Sequence, residues 1–178
     1  MLCFLNPGHD RELDSGAVNK NSGIRECDLA YELAVKVQEL LAQKNIEAPI
    51  RQSDDLYSVC EAANDLEADM FVSIHFNAFN QRATGTETLI SSTPASLILG
   101  HCIQSHLKAA LVLPDRGLKE RPGLYVLRNT VMPAVLVEVC FVDNDFDLAR
   151  YLNRVDQAAA AIADGIAMYA AQLSQNVA

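Results

Sequence analysis

Four residues carry most of the chemistry this sequence offers: His9, Glu26, His75 and Glu138. Imidazoles and carboxylates are the groups that hold a divalent cation or exchange a proton near neutral pH. Glu138 is the most informative of the four. It lies within Pro133-Ala-Val-Leu-Val-Glu138-Val-Cys-Phe-Val-Asp-Asn144, where residues 134–137 form an apolar run that resumes at Val139. Such a run reads as a strand buried on both faces. A carboxylate inside it must be paired, bound to a metal or shifted in pKa, because an unpartnered buried charge is too costly.

The other three sit at equivalent places. His9 comes just after a first strand over residues 2–5, which Asn6-Pro-Gly stops. His75 closes a strand over residues 69–77, in which Val72, Ile74 and Phe76 face one way and Phe71, Ser73 and His75 the other. Glu26 opens an amphipathic helix that lines up Leu29, Leu33, Val37, Leu40 and Leu41 on one face. Parallel strands bring their carboxyl ends to one edge, and the helix after a strand starts there, so these residues can converge. Two histidines and one carboxylate are a common ligand set for catalytic zinc, with one position left for water. Plainer readings also stand on spacing alone. Either histidine could be a structural or surface side chain. Glu26 could simply favour the helix dipole, and Glu138 could pair with an arginine. His101 and His106 lie five apart on one helix and do not share a face, so they are read as non-ligands.

The elements that must position these residues follow in order. Residues 11–23 form a polar loop, too polar for the core, beside the candidate site. A short strand is expected at 48–51 and a helix from Asp54 or Asp55 to about Asp65. Residues 86–92 read as a strand. Thr93 caps the next helix, with Pro94 at its first position, and that helix runs to about Val112. Residues 114–122 look like a charged connector, and 124–127 like a short strand. After the Glu138 strand come a short helical piece at 145–151 and a helix over 153–173, with Val155, Ala159, Ile162, Ile166 and Tyr169 on its buried stripe. Strands alternating with helices imply an α/β, three-layer domain. Its sheet would be twisted and mostly parallel, with about six strands and helices on both faces. No repeat or boundary divides it, so residues 1–178 are expected to form a single domain.

Bulk properties exclude several classes. The chain has 178 residues and a net charge of −9, with 50% hydrophobic and 21% charged residues. No basic stripe is present, which argues against nucleic acid as a partner. The five cysteines are odd in number, widely spaced and without a C-x-x-C pair. They read as free thiols rather than a disulfide framework or thiolate zinc site. No run approaches the ~20 apolar residues of a transmembrane segment, and residues 1–5 are too short for a signal peptide.

The ordered motifs resemble the zinc-dependent N-acetylmuramoyl-L-alanine amidases of the type 3 family. Asn-Pro-Gly-His9 resembles the family's D-P-G-H, and Glu26 matches a glutamate some seventeen positions on. Phe71-Val-Ser-Ile-His75-Phe-Asn77-Ala resembles F-V-S-I-H-A-N-A, Gly85-Thr-Glu matches G-x-E, and the Pro133–Asn144 segment resembles P-A-V-L-V-E-x-G-F-x-S-N. Departures are Asp10-Arg11 for Gly-Gly, Cys140 for a glycine and Asp143 for a serine. The resemblance implies that His9, Glu26 and His75 bind Zn²⁺ and that Glu138 is the catalytic acid/base. It further implies a peptidoglycan muropeptide substrate, cut between the lactyl group of N-acetylmuramic acid and L-alanine, and action on the cell wall. Asn77 and Asn144, uncharged polar groups at the same edge, are candidates for substrate binding. No protein partner is evident. Two rivals share these features: a non-catalytic muropeptide-binding relative, and a zinc peptidase or deacetylase for another amide.

Overall fold

A computed structural model describes residues 1–175. Five strands and six helices alternate along them: β1 (Cys3–Pro7), α1 (Glu26–Ala42), α2 (Leu56–Asp65), β2 (Met70–Asn77), β3 (Thr86–Ile90), α3 (Pro94–Leu111), β4 (Asp115–Glu120), α4 (Tyr125–Asn129), β5 (Ala134–Phe141), α5 (Asp145–Leu152) and α6 (Val155–Gln175). The strands make one sheet in the order β1-β2-β5-β3-β4. β1, β2 and β5 are parallel, whereas β3 runs antiparallel to β5 and carries β4 parallel to itself. The architecture is the expected three-layer α/β one, with a mixed sheet of five strands.

Three local expectations differ, each for a physical reason. Residues 48–51 pair with β1 through a single isolated bridge, Leu5↔Ile50, and Pro49 has no N–H to extend a ladder. The run at 124–127 is not a strand, and most of it starts the helix α4. Four apolar residues carry too little periodicity to choose between the two. Residues 115–120, expected as a connector, form the edge strand β4, in which no residue is buried and which so lacks the apolar signature of a buried strand.

The two faces of the sheet are covered unequally. Cys3, Leu5, Val72, Ile74, Val135 and Val137 point into a core shared with α1, α3 and α6. On that side Leu33, Val37 and Leu41 of α1 are fully buried, each worth about 1.5–3 kcal/mol of transfer free energy. The opposite face holds Phe4, Phe71, Ala134 and Leu136 under the short helices α2 and α4. Phe4 and Phe71 stack there with ring centroids 5.8 Å apart. Five cysteines, all free, are buried, none more than 4% exposed. The site lies on this second face near the carboxyl ends of β1, β2 and β5, where the starts of α2 and α4 border a groove.

Candidate metal centre and proton-transfer site

β1 ends in a turn at Gly8, whose N–H still donates to Ile74 O of β2 at 2.9 Å. His9 then adopts a left-handed backbone, φ +63°, a conformation a side-chain-bearing residue holds only under constraint. The constraint is visible. His9 Nδ1 lies 2.7 Å from Asp14 Oδ2, and Asp14 Oδ1 accepts from the Gly16 N–H at 2.9 Å. The loop that carries them is pinned as well. Asn19 Nδ2 donates to Val142 O and to Asp145 Oδ1, both at 2.9 Å.

Glu26, first residue of α1 and 4% exposed, lies between the two imidazoles. Its Oε1 is 2.9 Å from His75 Nδ1 and accepts from the Phe76 N–H at 3.0 Å. Its Oε2 is 3.2 Å from His9 Nε2 and accepts from the Ala17 N–H at 2.9 Å. One ligand atom from each of His9, Glu26 and His75 lies within 4.8 Å of the others. Burial alone would raise the pKa of Glu26, but the hydrogen bonds from His75 and His9 outweigh it and hold the carboxyl well below its usual range. In return the Glu26 hydrogen bond lifts His9 to about 9 against the opposing effect of burial. A cation placed among these atoms would take over the role of those shared protons, as metal ligation by neutral imidazole requires.

Two glycines make the cluster sterically feasible. A Cβ on Gly8 would stand 2.2 Å from His75 Cε1. One on Gly16, whose φ is +63°, would stand 2.5 Å from His9 Cδ2 and 2.7 Å from Glu26 Oε2. No other residue type fits at either place without displacing a candidate ligand.

Glu138 is held differently. It pairs across the sheet with His75 of β2 on one side and Glu87 of β3 on the other. Its Oε2 is buried with no hydrogen-bond partner among the described residues. Burial raises its pKa to about 7. The nearby His75 pulls it down, while Glu26 and Glu87 push it up. A carboxyl that titrates near neutrality can both accept and return a proton.

The two asparagines differ in placement. Asn77 stays at the site, its Nδ2 donating to Glu87 Oε1 at 2.8 Å. Asn144 is the N-cap of α5. Its Oδ1 accepts from the N–H groups of Phe146 and Asp147, and its Nδ2 donates to Ala83 O at 3.0 Å. Both polar atoms of that side chain are thus engaged in structure, and none of its partners belongs to the cluster. Asp14 and Gly16 are neighbours of the cluster that sequence reasoning missed, and Gly8 entered it only as part of the Asn-Pro-Gly-His9 motif. The only signal for the first two was their position in the polar loop after His9.

A groove of about 400 Å³ lies at this edge, lined by His9, His75 and Asp14 and by the apolar side chains of Leu124, Tyr125 and Leu136. The arrangement offers a cation site of two imidazoles and a carboxylate, an adjacent proton carrier and an apolar wall.

Comparison with known proteins points one way. The family profile described as N-acetylmuramoyl-L-alanine amidase matches residues 3–168. The amidase LytC of Bacillus subtilis is 36% identical over 176 residues, which cover 93% of this chain and 35% of LytC. An uncharacterized cell wall amidase of Bacillus anthracis is 38% identical over 164 residues, 81% of this chain and 30% of that protein. This chain therefore spans about a third of the length of those two relatives. The solved catalytic domain of CwlV, an N-acetylmuramoyl-L-alanine amidase from Bacillus (Paenibacillus) polymyxa var. colistinus, superposes with a TM-score of 0.87 at 32% identity, covering 96% of this chain and 98% of that one.

Proposed function

The chain belongs to the N-acetylmuramoyl-L-alanine amidase family, and from that premise we propose that it is a zinc-dependent hydrolase of peptidoglycan. It would cut the amide between the lactyl group of N-acetylmuramic acid and the L-alanine of the stem peptide. Residues 1–178 would act as one catalytic domain, on the cell wall outside the cytoplasm. No described helix is long and apolar enough to cross a membrane.

One observation carries the reading. Three ligand atoms of His9, Glu26 and His75 meet within 4.8 Å, and the unpartnered Oε2 of Glu138 lies in the register position beside His75. The donor set fits zinc, which takes imidazole nitrogen and carboxylate oxygen and in catalytic sites keeps one position open. Bound there, zinc would act as a Lewis acid and bring the pKa of a water to about 7.

The chain's own residues do the rest. Asp14 holds the ring of His9 and Gly16 packs close against it, the kind of outer support that sets ligand orientation. Glu138 takes the proton of the attacking water onto a carboxylate that burial has made basic enough to hold it. It then delivers that proton to the leaving amine of L-alanine. Leu124, Tyr125 and Leu136 keep the wall of the groove apolar, which strengthens the electrostatics at the reacting amide. Asn77, anchored to Glu87, would present its amide oxygen to the substrate.

The test is digestion of purified cell walls, followed by labelling of new amino termini. Fresh L-alanine amino termini, abolished by a chelator and restored by zinc, are the expected result. Wall binding with no new termini would leave a binding module, and new termini on another residue would leave a different amidohydrolase. Either outcome overturns the proposal.

A further inference from the structure

The strand order lays the polar residues of this edge out in a line: His9 after β1, His75 on β2, Glu138 on β5, Glu87 on β3 and Arg116 on β4. The first three have roles in the proposed reaction. The last two do not, and they are at this edge only because β3 and β4 run antiparallel to β5, so that the starts of these strands reach it.

Arg116 is held in an unusual way. Its Nε donates to Glu87 Oε2 at 3.0 Å, while Glu87 Oε1 is taken by Asn77. Its guanidinium lies over the Phe141 ring, with Cζ 5.0 Å from the centroid. Nη1 and Nη2 make no hydrogen bond among the described residues, and the side chain is 39% exposed. The base of the fork is thus clamped by an ion pair and a stacked ring, and its two outer donors are left open. A planar fork of this kind suits a carboxylate, which it binds through two parallel hydrogen bonds.

We infer that Arg116 is a subsite for the free α-carboxylate of the second stem-peptide residue, the one after L-alanine. The inference rests on the amidase reading, and direction follows from it. The acid that protonates the leaving nitrogen stands on the leaving side of the amide. The acyl part of the substrate therefore lies toward His9 and His75, and the peptide runs past Glu138 toward β3 and β4. β4 is two strand spacings from β5, roughly 10 Å. Arg116 reaches back over that gap to Phe141 of β5, which leaves a span of one to two residues of extended chain. A second residue joined through its side-chain carboxyl carries its α-carboxylate within that span. Asp14 and Asp54 line the groove at the His9 end and would repel the same group, whereas at the other end the carboxylate of Glu87 is already paired with Arg116 and Asn77.

The experiment uses the zinc-loaded protein and two soluble muramoyl tripeptides that differ at one group. One has a free α-carboxylate on its second residue and the other a carboxamide. The wild type should prefer the carboxylate by roughly tenfold in kcat/KM, mainly through KM. Arg116→Gln should bring that ratio close to one. Arg116→Lys, which keeps the charge but loses the fork, should give an intermediate ratio and serves alone if the glutamine variant does not fold. A wild-type ratio near one, or an unchanged ratio in the variants, overturns the inference. If the wild type cleaves neither compound, the amidase reading has failed. Calorimetric binding of the two tripeptides then decides on Arg116: tighter carboxylate binding that Arg116→Gln abolishes supports the subsite, and equal binding rejects it.

Discussion

Glu26 and Glu138 flank the same imidazole, His75, and their surroundings are opposite. Glu26 has both oxygens engaged, each by one backbone N–H and one histidine nitrogen. Glu138 has an enclosed oxygen with no partner among the described residues. Saturation holds the first carboxyl ionised and fixed, which is what a metal ligand needs. Isolation lifts the second toward neutrality, which is what a proton carrier needs. One residue type would thus serve two roles: both carboxyls are desolvated, and the supply of hydrogen bonds to Glu26 but not to Glu138 Oε2 sets their pKa values apart.

The sharpest way to break this contrast is to exchange each residue for glutamine. Glu138→Gln should retain zinc at wild-type stoichiometry while hydrolysis falls roughly 10²–10⁴-fold. Glu26→Gln should lose zinc, and activity with it. Metal content read beside the release of L-alanine termini separates the cases, and loss of zinc from both variants would erase the distinction.

A smaller effect is expected on stability. In the zinc-free protein the carboxyl of Glu138 is lifted from 4.5 to about 7. The folded state keeps a proton that the unfolded chain has already lost, so this group makes stability fall as pH rises from 4.5 to 7, by about 3 kcal/mol. His9, lifted from 6.5 to about 9, stabilises the fold fully below 6.5 and loses that contribution as pH rises through 9. Glu26 acts in the opposite sense, its contribution being lost as the carboxyl protonates in acid. Denaturant unfolding of wild type and Glu138→Gln across pH isolates the first of these. The difference curve should slope only between 4.5 and 7, and a flat one would mean that Glu138 is not isolated.

The smallest effect concerns Asn144, which is saturated like Glu26 but by an α-helix end. Asn144→Ala should cost about 1 kcal/mol of stability, with KM for muropeptide little changed. A large rise in KM with intact stability would return this residue to the substrate.

Much of this organisation was legible in the sequence. The strands carrying His75 and Glu138, the start of α1 at Glu26 and the cap and proline opening α3 all have strong local signals, and all appear. That His9, Glu26 and His75 could meet followed from the geometry of parallel strands, and their selection as a ligand set came from the family resemblance. What could not be read depends on neighbours. The reversal of β3 is a choice of pairing partner, which no run of five residues records. β4 is concealed by its polar composition, and α4 by brevity. Asn144 was placed near substrate because its backbone is at the right edge, yet Asn144-Asp-Phe-Asp is also a helix-start signal, and the cap uses every polar atom it has. Gly8 and Gly16 lie in turns where glycine is unremarkable, and only the packing of the His9 and His75 rings shows why each is needed.

The buried sulfurs have a practical consequence. Every native thiol is shielded, and burial pushes all five above their ordinary pKa, so the folded molecule presents almost no thiolate to an alkylating dye. A single cysteine introduced on the surface can therefore carry a fluorophore without first stripping the natural ones. The same five become a built-in counter of molecules that have lost their fold.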